Sequence, residues 1–145
     1  MKPLDADRAL VLRRDLFRCV RCGKDTALEM QHRRRVGAGG SKVRPPVTDL
    51  VTACSWCNEG FEGVGQTEAL VYGHKVRSWV VDPGRVPLFN RPLRVWGRLT
   101  DAGGVIILQP QDAMDAMRSV YGAEWDRWAD QLREPLGLMG RGGAL

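Results

Sequence analysis

Four cysteines, arranged as two pairs with the same internal spacing, are the residues whose chemistry this sequence indicates most directly. Each pair has the form Cys-x-x-Cys: Cys19 with Cys22, and Cys54 with Cys57. The two-residue spacer lets both thiolates of a pair point at one tetrahedral ion, and four thiolates complete the coordination of Zn²⁺. A redox-active Cys-x-x-Cys would account for one pair but not for two. We therefore predict a structural zinc site with no coordination position open for catalysis.

A single histidine lies between the two cysteine pairs and is followed directly by cationic side chains. His32 stands near the end of the alternating segment "ALEMQHR", and Arg33, Arg34 and Arg35 come next. A neutral imidazole, with a usual pKa of about 6.5, can take a proton from water at neutral pH. His32 is therefore a candidate general base. The alternative is a histidine whose hydrogen bonds are satisfied within a strand.

Basic residues are concentrated in one part of the chain. The net charge is +5, and most of the excess lies between residues 13 and 44. Such a region favours a polyanion partner, most simply nucleic acid, although a solvated charged face is an equally simple interpretation. The candidate phosphate contacts are Arg33, Arg34, Arg35 and Lys42. Consecutive residues of a strand alternate faces, so we expect only some of the arginines to touch one phosphate. Glycines within residues 37–40 would let the next loop approach a sugar-phosphate chain, or simply make it flexible.

Short elements must position these residues. Residues 5–18 predict a helix capped by Asp5 or Asp7. Alternation of apolar and polar residues predicts a strand over 27–33, and residues 49–54 predict a second short strand. Between the helix and the first strand, Gly23 is expected to take a positive φ in the first cysteine turn. The second cysteine turn is expected to begin a helix.

The chain changes character beyond residue 65. A short helix is expected to end at Gly73, and strands are expected in "KVRSWVV", "PLRVWGRL" and "VIIL". Residues 111–134 predict one amphipathic helix, weakened in its middle by Gly122. Its stripe of methionine and tryptophan, within residues 114–132, is either core or a docking surface. His74 is expected to be a surface or packing residue, and Trp56 to pack over the zinc site or, alternatively, to stack on a base.

The cysteine turns, the histidine strand, the glycine loop and the helix after the second cysteine pair form a recognisable combination. "RRDLFRCVRCGKDTALEMQHRRRVGAGGS" followed by "TDLVTACSWCNEGFE" resembles the HNH endonuclease family, in the zinc-containing form common in phages and prophages. The resemblance covers residues 8–62 closely. It implies a ββα-metal core, in which two strands and a helix surround one divalent cation.

The resemblance also implies a role for each matched position. His32 stands at the position of the general base. Gln31 stands where the family usually has a metal-binding histidine or aspartate, and Asn58 replaces the last metal-binding histidine. Asp49 takes the place of the middle asparagine, which holds the active-site loop. Glu62 stands one helical turn after Asn58, where the family often has an acid. That acid contacts the metal ligands and not the metal itself.

Such a site hydrolyses phosphodiester bonds. The base generates hydroxide, while Mg²⁺ or another divalent ion holds the phosphate and the leaving oxygen. Gln31 and Asn58 offer neutral oxygens, so we expect weak affinity for free metal, with the DNA phosphate completing the site. We expect a divalent-metal-dependent nuclease that acts on double-stranded DNA with low sequence specificity. The alternatives are a catalytically inactive DNA-binding module and an interaction protein that uses the same fold as a scaffold.

Together these features predict an α+β protein: a ββα-metal core with a four-cysteine zinc site, a small β-containing extension and a C-terminal amphipathic helix. We expect the nuclease-like domain over 1–65, the packed extension over 66–134 and a flexible tail over 135–145. Residues 114–132 could contact a second copy or phage packaging proteins. No apolar run reaches the roughly 18 residues of a membrane span, so we expect a cytoplasmic protein, in the host cytoplasm if phage-encoded.

Overall fold

A helix and a two-stranded sheet form the first part of the computed structural model, which describes residues 5–36 and 43–132. Helix α1 spans Asp5–Arg14, strand β1 spans Leu28–His32 and strand β2 spans Leu50–Cys54. The two strands are antiparallel, with Leu28 opposite Cys54 and His32 opposite Leu50. Helix α2, Ser55–Phe61, follows β2 directly. The predicted strands and the predicted helix after the second cysteine pair are therefore present.

In the described part of the chain, side chains from the end of α1 cover the outer edge of β2. Arg14 donates from Nη2 to the carbonyl of Leu50 at 2.6 Å. The carboxylate of Asp15 accepts from the amide of Thr52 at 2.8 Å. The carbonyl of Thr52 in turn accepts from the amide of Val20 at 3.0 Å. All five residues of β2 are buried, so these bonds satisfy backbone groups that would be costly to leave unpaired.

The first helix is shorter than the sequence predicts. It ends at Arg14 instead of residue 18. Leu16 and Phe17 take positive φ values of 60° and 55°, and both side chains are exposed. Two left-handed residues in succession reverse the chain, so that it returns along β2 towards the first cysteine pair. The hydrogen bonds that Arg14 and Asp15 form with the edge of β2 stabilise the protein more than a longer helix would.

The second part of the structure is a three-stranded antiparallel sheet with three helices. Its elements are α3 (Gln66–Val71), β3 (Leu88–Asn90), β4 (Val95–Leu99), β5 (Val105–Leu108), α4 (Pro110–Tyr121) and α5 (Ala123–Gln131). The strand order is β3-β4-β5. The strand predicted over residues 75–81 is wrong, because that segment is irregular apart from one bridge between Arg34 and Val76. Over the described residues, the chain is thus a mixed α+β protein with two small sheets.

The single C-terminal helix that the sequence predicts is two helices. Gly122 separates them, with φ 64° and ψ −148°, a conformation essentially restricted to glycine. The turn packs both helices into one core, where Met117, Trp125 and Trp128 are buried with Trp96. The methionine and tryptophan stripe therefore contributes to the core. A contact of this segment with a second copy or with packaging proteins stays a prediction for its exposed side chains.

His74 is fully buried among aromatic rings at the junction of the two parts. Its ring centroid lies 5.5 Å from that of Phe61 and 6.1 Å from that of Tyr72. Nε2 donates to the carbonyl of Phe89 at 2.8 Å, and Nδ1 has no hydrogen-bond partner. Burial lowers the pKa of His74 to about 4. His74 is therefore a packing residue held in its neutral form.

The buried imidazole makes stability depend on pH. Because the pKa is lowered in the fold, protons bind the unfolded chain first, and acid favours unfolding. The contribution of neutral His74 to the free energy of unfolding is complete above about pH 6.5. It is lost as the pH falls towards 4, at up to about 1.4 kcal/mol per pH unit. Urea denaturation from pH 7.5 to 4.5 checks this, and His74→Gln should reduce the slope below pH 6.5. An unchanged slope in the variant would contradict the assignment.

Candidate functional site: a cysteine cluster and a polar cavity

The four cysteine sulfurs lie within 4.8 Å of one another. Sγ of Cys22 and Sγ of Cys54 are 3.7 Å apart. Two sulfurs on a tetrahedral zinc, each at about 2.3 Å from the ion, are about 3.8 Å apart, whereas a disulfide bond is about 2.0 Å long. Cys22 is exposed and the other three are buried. The cluster could hold a metal ion such as Zn²⁺, so the prediction of a four-cysteine metal site is confirmed at this level.

Local backbone structure aims each pair at the cluster. In the first turn, the amide of Gly23 donates to the carbonyl of Cys19 at 2.9 Å, and Gly23 has the predicted positive φ, 80°. In the second turn, Cys54 is the N-cap of α2, and its sulfur accepts from the amide of Cys57 at 3.4 Å. Nη1 of Arg21 lies 3.6 Å from Sγ of Cys57. Donors of this kind stabilise thiolates and orient them towards a metal.

The thiols differ in acidity. Burial raises the pKa of Cys22 and of Cys57. Burial also opposes ionisation of Cys54, but the hydrogen bond from the Cys57 amide and those from neighbouring thiols outweigh it and lower its pKa. Cys54 therefore ionises more readily than Cys22 or Cys57. Metal binding would release the remaining protons, since only thiolates are good ligands.

A polar cavity of about 500 Å³ lies at the other end of β1. Five residues singled out in the sequence line it: Gln31, His32, Arg34, Arg35 and Glu62. Val36, Gln66 and Lys75 complete the lining. The last two come from beyond residues 8–62, the part that resembles the HNH family closely. The fold thus brings the candidate base, one candidate ligand, the candidate acid and two arginines around one space.

His32 is half-buried at the end of β1. Burial lowers its pKa, the carboxylate of Asp49 acts in the opposite direction, and the charge of Lys75 lowers the pKa further. The imidazole is therefore neutral at pH 7, which is the form that a general base requires.

Asp49 fixes the segment that follows His32. Its Oδ1 accepts from the amide of Arg34 at 3.0 Å and lies 3.2 Å from Nε of the same arginine. Its carbonyl accepts from the amide of Arg33 at 2.7 Å. Asp49 is buried, so these charge-assisted bonds are shielded from solvent. They hold Arg34 beside the cavity.

Asn58 and Gln31, the two predicted ligands of a catalytic ion, do not share the cavity. Asn58 is absent from its lining and donates from Nδ2 to Oε1 of Glu29 at 2.7 Å. Glu62 is in the cavity but is paired with Lys75. Within residues 5–36 and 43–132, the cysteines are the one group of three or more His, Cys, Asp or Glu side chains close enough to hold an ion. A catalytic ion would therefore find no charged ligand set already assembled.

Arg33 is fully buried and belongs to the interior. Its guanidinium donates at 2.8–3.5 Å to the carbonyls of Thr48, Gly73, Pro83, Val86 and Pro87. Burial lowers its pKa to about 10, which still leaves it cationic at pH 7. The predicted phosphate contact at Arg33 is therefore wrong, because every guanidinium nitrogen is already bound to backbone oxygen.

The other predicted phosphate contacts have different surroundings. Arg34 lines the cavity while donating from Nη1 to the carbonyls of Val80 and Val81 at 3.0 and 3.1 Å. Arg35 lines the cavity and is exposed. Lys42 and the glycine loop over 37–40 lie outside the described residues. Arg34 and Arg35 therefore remain as candidate phosphate contacts among the described residues.

Trp56 does not pack over the cysteine cluster. Its side chain is 76% exposed and borders an apolar cleft of about 390 Å³ with Arg21, Phe61 and Val64. The primary prediction for Trp56 is therefore wrong, because α2 directs this residue of its first turn outward. Stacking on a base stays a prediction.

Lys75 is the charged residue of the cavity that the sequence does not single out. It lies beyond residues 8–62, the part that resembles the HNH family closely, and no spacing relates it to His32. The signal that could have drawn attention to it is its position directly after Gly73 and His74, at the end of the short helix. Only the fold brings its side chain to the cavity.

The described residues define a class of structure: a mixed α+β chain with a four-cysteine cluster suited to a metal such as zinc. No protein-family model matches the chain, and no curated protein and no solved structure matches it either. Among the described residues, no helix has both the length and the hydropathy needed to cross a bilayer.

Proposed function

We propose that this protein is an HNH-type nuclease that hydrolyses phosphodiester bonds of double-stranded DNA, with His32 as general base. The observation that carries the proposal is the polar cavity in which His32, Gln31 and Glu62 meet two arginines. The order strand, strand, helix around the four-cysteine cluster supports it. So does the excess of cations in the lining of that cavity, where Arg34, Arg35 and Lys75 accompany Glu62.

The residues of the cavity divide the chemistry between them. Neutral His32 takes a proton from water, and the resulting hydroxide attacks phosphorus. Arg35, at the exposed side of the cavity, and Arg34 hold the phosphate and stabilise the charge that develops on it. Binding through phosphate contacts depends strongly on salt and little on sequence. Low sequence specificity is therefore part of the proposal.

The divalent ion that the resemblance implies fits these residues poorly. Asn58 is engaged by Glu29, and Glu62 by Lys75. Gln31 alone of the two expected ligands reaches the cavity, and it is neutral. Mg²⁺ prefers oxygen ligands, and its protein ligands usually include one or two carboxylates. We therefore assign no step to the ion here and make its requirement one arm of the test.

Cleavage of supercoiled plasmid tests the proposal. The zinc-loaded chain is expected to nick or linearise the plasmid, in Mg²⁺, Mn²⁺ or EDTA. His32→Ala is expected to slow cleavage by about 100-fold or more, because the general base is lost. Zinc content and melting temperature should stay unchanged, since His32 lies outside the cysteine cluster.

The proposal has a matched control and two clear failures. Arg98 is exposed on β4 and does not line the cavity, so Arg98→Gln should cleave like the wild type. Cleavage by His32→Ala at the wild-type rate would remove His32 from the mechanism. Salt-sensitive DNA binding without cleavage under any of the three conditions would instead identify a catalytically inactive binding module.

A further inference from the structure

Lys75 is a buried cation that faces the cavity. The residue is only 4% exposed, yet it lines the same cavity as His32. Lysine is among the residues least often buried, and a buried ammonium needs a compensating partner. Its ammonium is therefore sheltered from bulk solvent but available to whatever enters the cavity.

The partner of Lys75 is itself half in solvent. Nζ of Lys75 forms a short ion pair with Oε1 of Glu62, whose side chain is 49% exposed. Desolvating an ammonium requires compensation in the resting protein, and within residues 5–36 and 43–132 the carboxylate of Glu62 supplies it. An incoming phosphate would offer the same ammonium additional anionic oxygens, and Glu62 could then turn towards water.

Backbone contacts hold Lys75 close to the end of β1. Its amide donates to the carbonyl of Ala69 at 3.0 Å, and the next amide, of Val76, donates to the carbonyl of Arg33 at 2.8 Å. Val76 also forms the bridge with Arg34. The position of Lys75 relative to the strand that carries His32 is therefore fixed by the fold.

The charges of the cavity favour an anion over a divalent cation. Among the described residues, Arg34, Arg35 and Lys75 line it against one acid, Glu62. Asp49 compensates Arg34 from outside the lining, which still leaves two cations facing Glu62. A divalent cation would enter a space that is already positive, whereas a phosphodiester would be attracted to it.

We propose that the Lys75 ammonium binds the scissile phosphate directly, in the charge-stabilising role that a divalent cation has in metal-dependent nucleases, and that Glu62 is its counter-ion when no phosphate is bound. This inference rests on the proposed function for its catalytic part. Phosphate binding itself does not depend on cleavage.

The proposed step balances without a metal. The oxygen of water forms a bond to phosphorus while one of its protons passes to His32, and the bond from phosphorus to the 3′-oxygen breaks. The departing oxygen takes a proton from solvent, and His32 later returns its own proton to solvent. Lys75 keeps its proton throughout and stabilises the negative charge on the non-bridging oxygens.

Phosphate binding in EDTA is the first measurement. Zinc-loaded full-length chain, with its zinc content verified in the same buffer, is titrated calorimetrically with inorganic phosphate and with a short DNA duplex. Lys75→Gln should weaken phosphate binding at least tenfold. Glu62→Gln should bind phosphate more tightly than the wild type, because it removes the competing carboxylate. Lys75→Arg should largely keep binding, and Arg98→Gln controls for net charge.

Cleavage in EDTA is the second measurement, and it separates the two proposals. Wild-type cleavage in EDTA that Lys75→Gln abolishes supports both. Lys75-dependent phosphate binding without any cleavage supports this inference and removes the nuclease. Cleavage that requires a divalent ion and is unaffected in Lys75→Gln keeps the nuclease and overturns the inference.

A purely structural ion pair predicts a different pattern. Lys75→Gln and Glu62→Gln would then lower the melting temperature alike and leave phosphate binding equal to that of the wild type, which overturns the inference. If Lys75→Gln does not fold, Glu62→Gln decides alone, because it keeps the buried ammonium. Phosphate binding by Glu62→Gln that is no tighter than that of the wild type also overturns it.

Discussion

Cys57→Ser is expected to abolish stable zinc binding and to unfold the first part of the chain. Cys19, Cys54 and Cys57 are themselves core residues, packed with Phe61 and Ala69 in one buried cluster. Without a bound ion, no metal–sulfur bonds link the thiols of this core, and only packing holds them together. Structural zinc contributes its binding free energy to folding, and the apparent value is about 10–16 kcal/mol in zinc-finger peptides. Losing one ligand should therefore cost several kcal/mol.

Zinc content and thermal unfolding measure this effect. Elemental analysis should give one zinc per wild-type chain and much less for Cys57→Ser, whose circular dichroism should show loss of structure at room temperature. Ser55→Ala is the matched control, because Ser55 is exposed in the same turn and supplies no thiol. A Cys57→Ser chain that keeps one zinc and the wild-type melting temperature would falsify the assignment of this residue as a ligand.

The cysteine cluster was predictable because its determinants are local. A two-residue spacer fixes how the thiols of a pair can point, whatever the rest of the chain does. The same is true of β1, where alternation sets the strand, and of α2, where Cys54 caps the helix. The break at Gly122 is only partly predictable: the sequence indicates a weak point in the helix, but only packing determines that the chain turns there.

The contents of the polar cavity were only partly predictable because its determinants are distant in sequence. His32 and Gln31 come from β1, Glu62 follows α2, and Lys75 follows α3. No periodicity links these positions. The end of α1 is not predictable for a related reason: the side chain of Asp15 accepts a hydrogen bond from the amide of Thr52, far along the chain, and this bond competes with continuation of the helix.

Arg33 shows most clearly how the fold can reassign a residue. Its neighbours Arg34 and Arg35 line the cavity, whereas Arg33 points to the opposite side of the segment and is fully buried. Only some of the arginines face one space, as expected, but they do not alternate, because β1 ends at His32 and the consecutive Arg34 and Arg35 both line the cavity. What the sequence could not indicate is that carbonyls from residues 48, 73, 83, 86 and 87 converge on that side.

Replacing Arg33 with methionine is therefore expected to destabilise the protein by about 3 kcal/mol or more. Each buried carbonyl left without a donor costs about 1–3 kcal/mol. Methionine has a similar length but no donor, so several carbonyls lose their partner together. Lysine keeps the charge but lacks the planar fork that reaches separated acceptors, so Arg33→Lys should also be destabilised. Urea denaturation at pH 7.5 measures the free energy of unfolding.

Arg35→Met is the matched control, because it removes the same side chain two residues along at an exposed position. Its free energy of unfolding should stay within about 0.5 kcal/mol of the wild type, while its affinity for a DNA duplex should fall. Arg33→Met should show the reverse pattern wherever it remains folded: lower stability, with duplex affinity unchanged. An Arg33→Met chain that is as stable as the wild type but binds DNA weakly would return Arg33 to the phosphate contacts. Other donors would then have to bind the carbonyls around it. The contact between the two parts of the chain would not require this guanidinium.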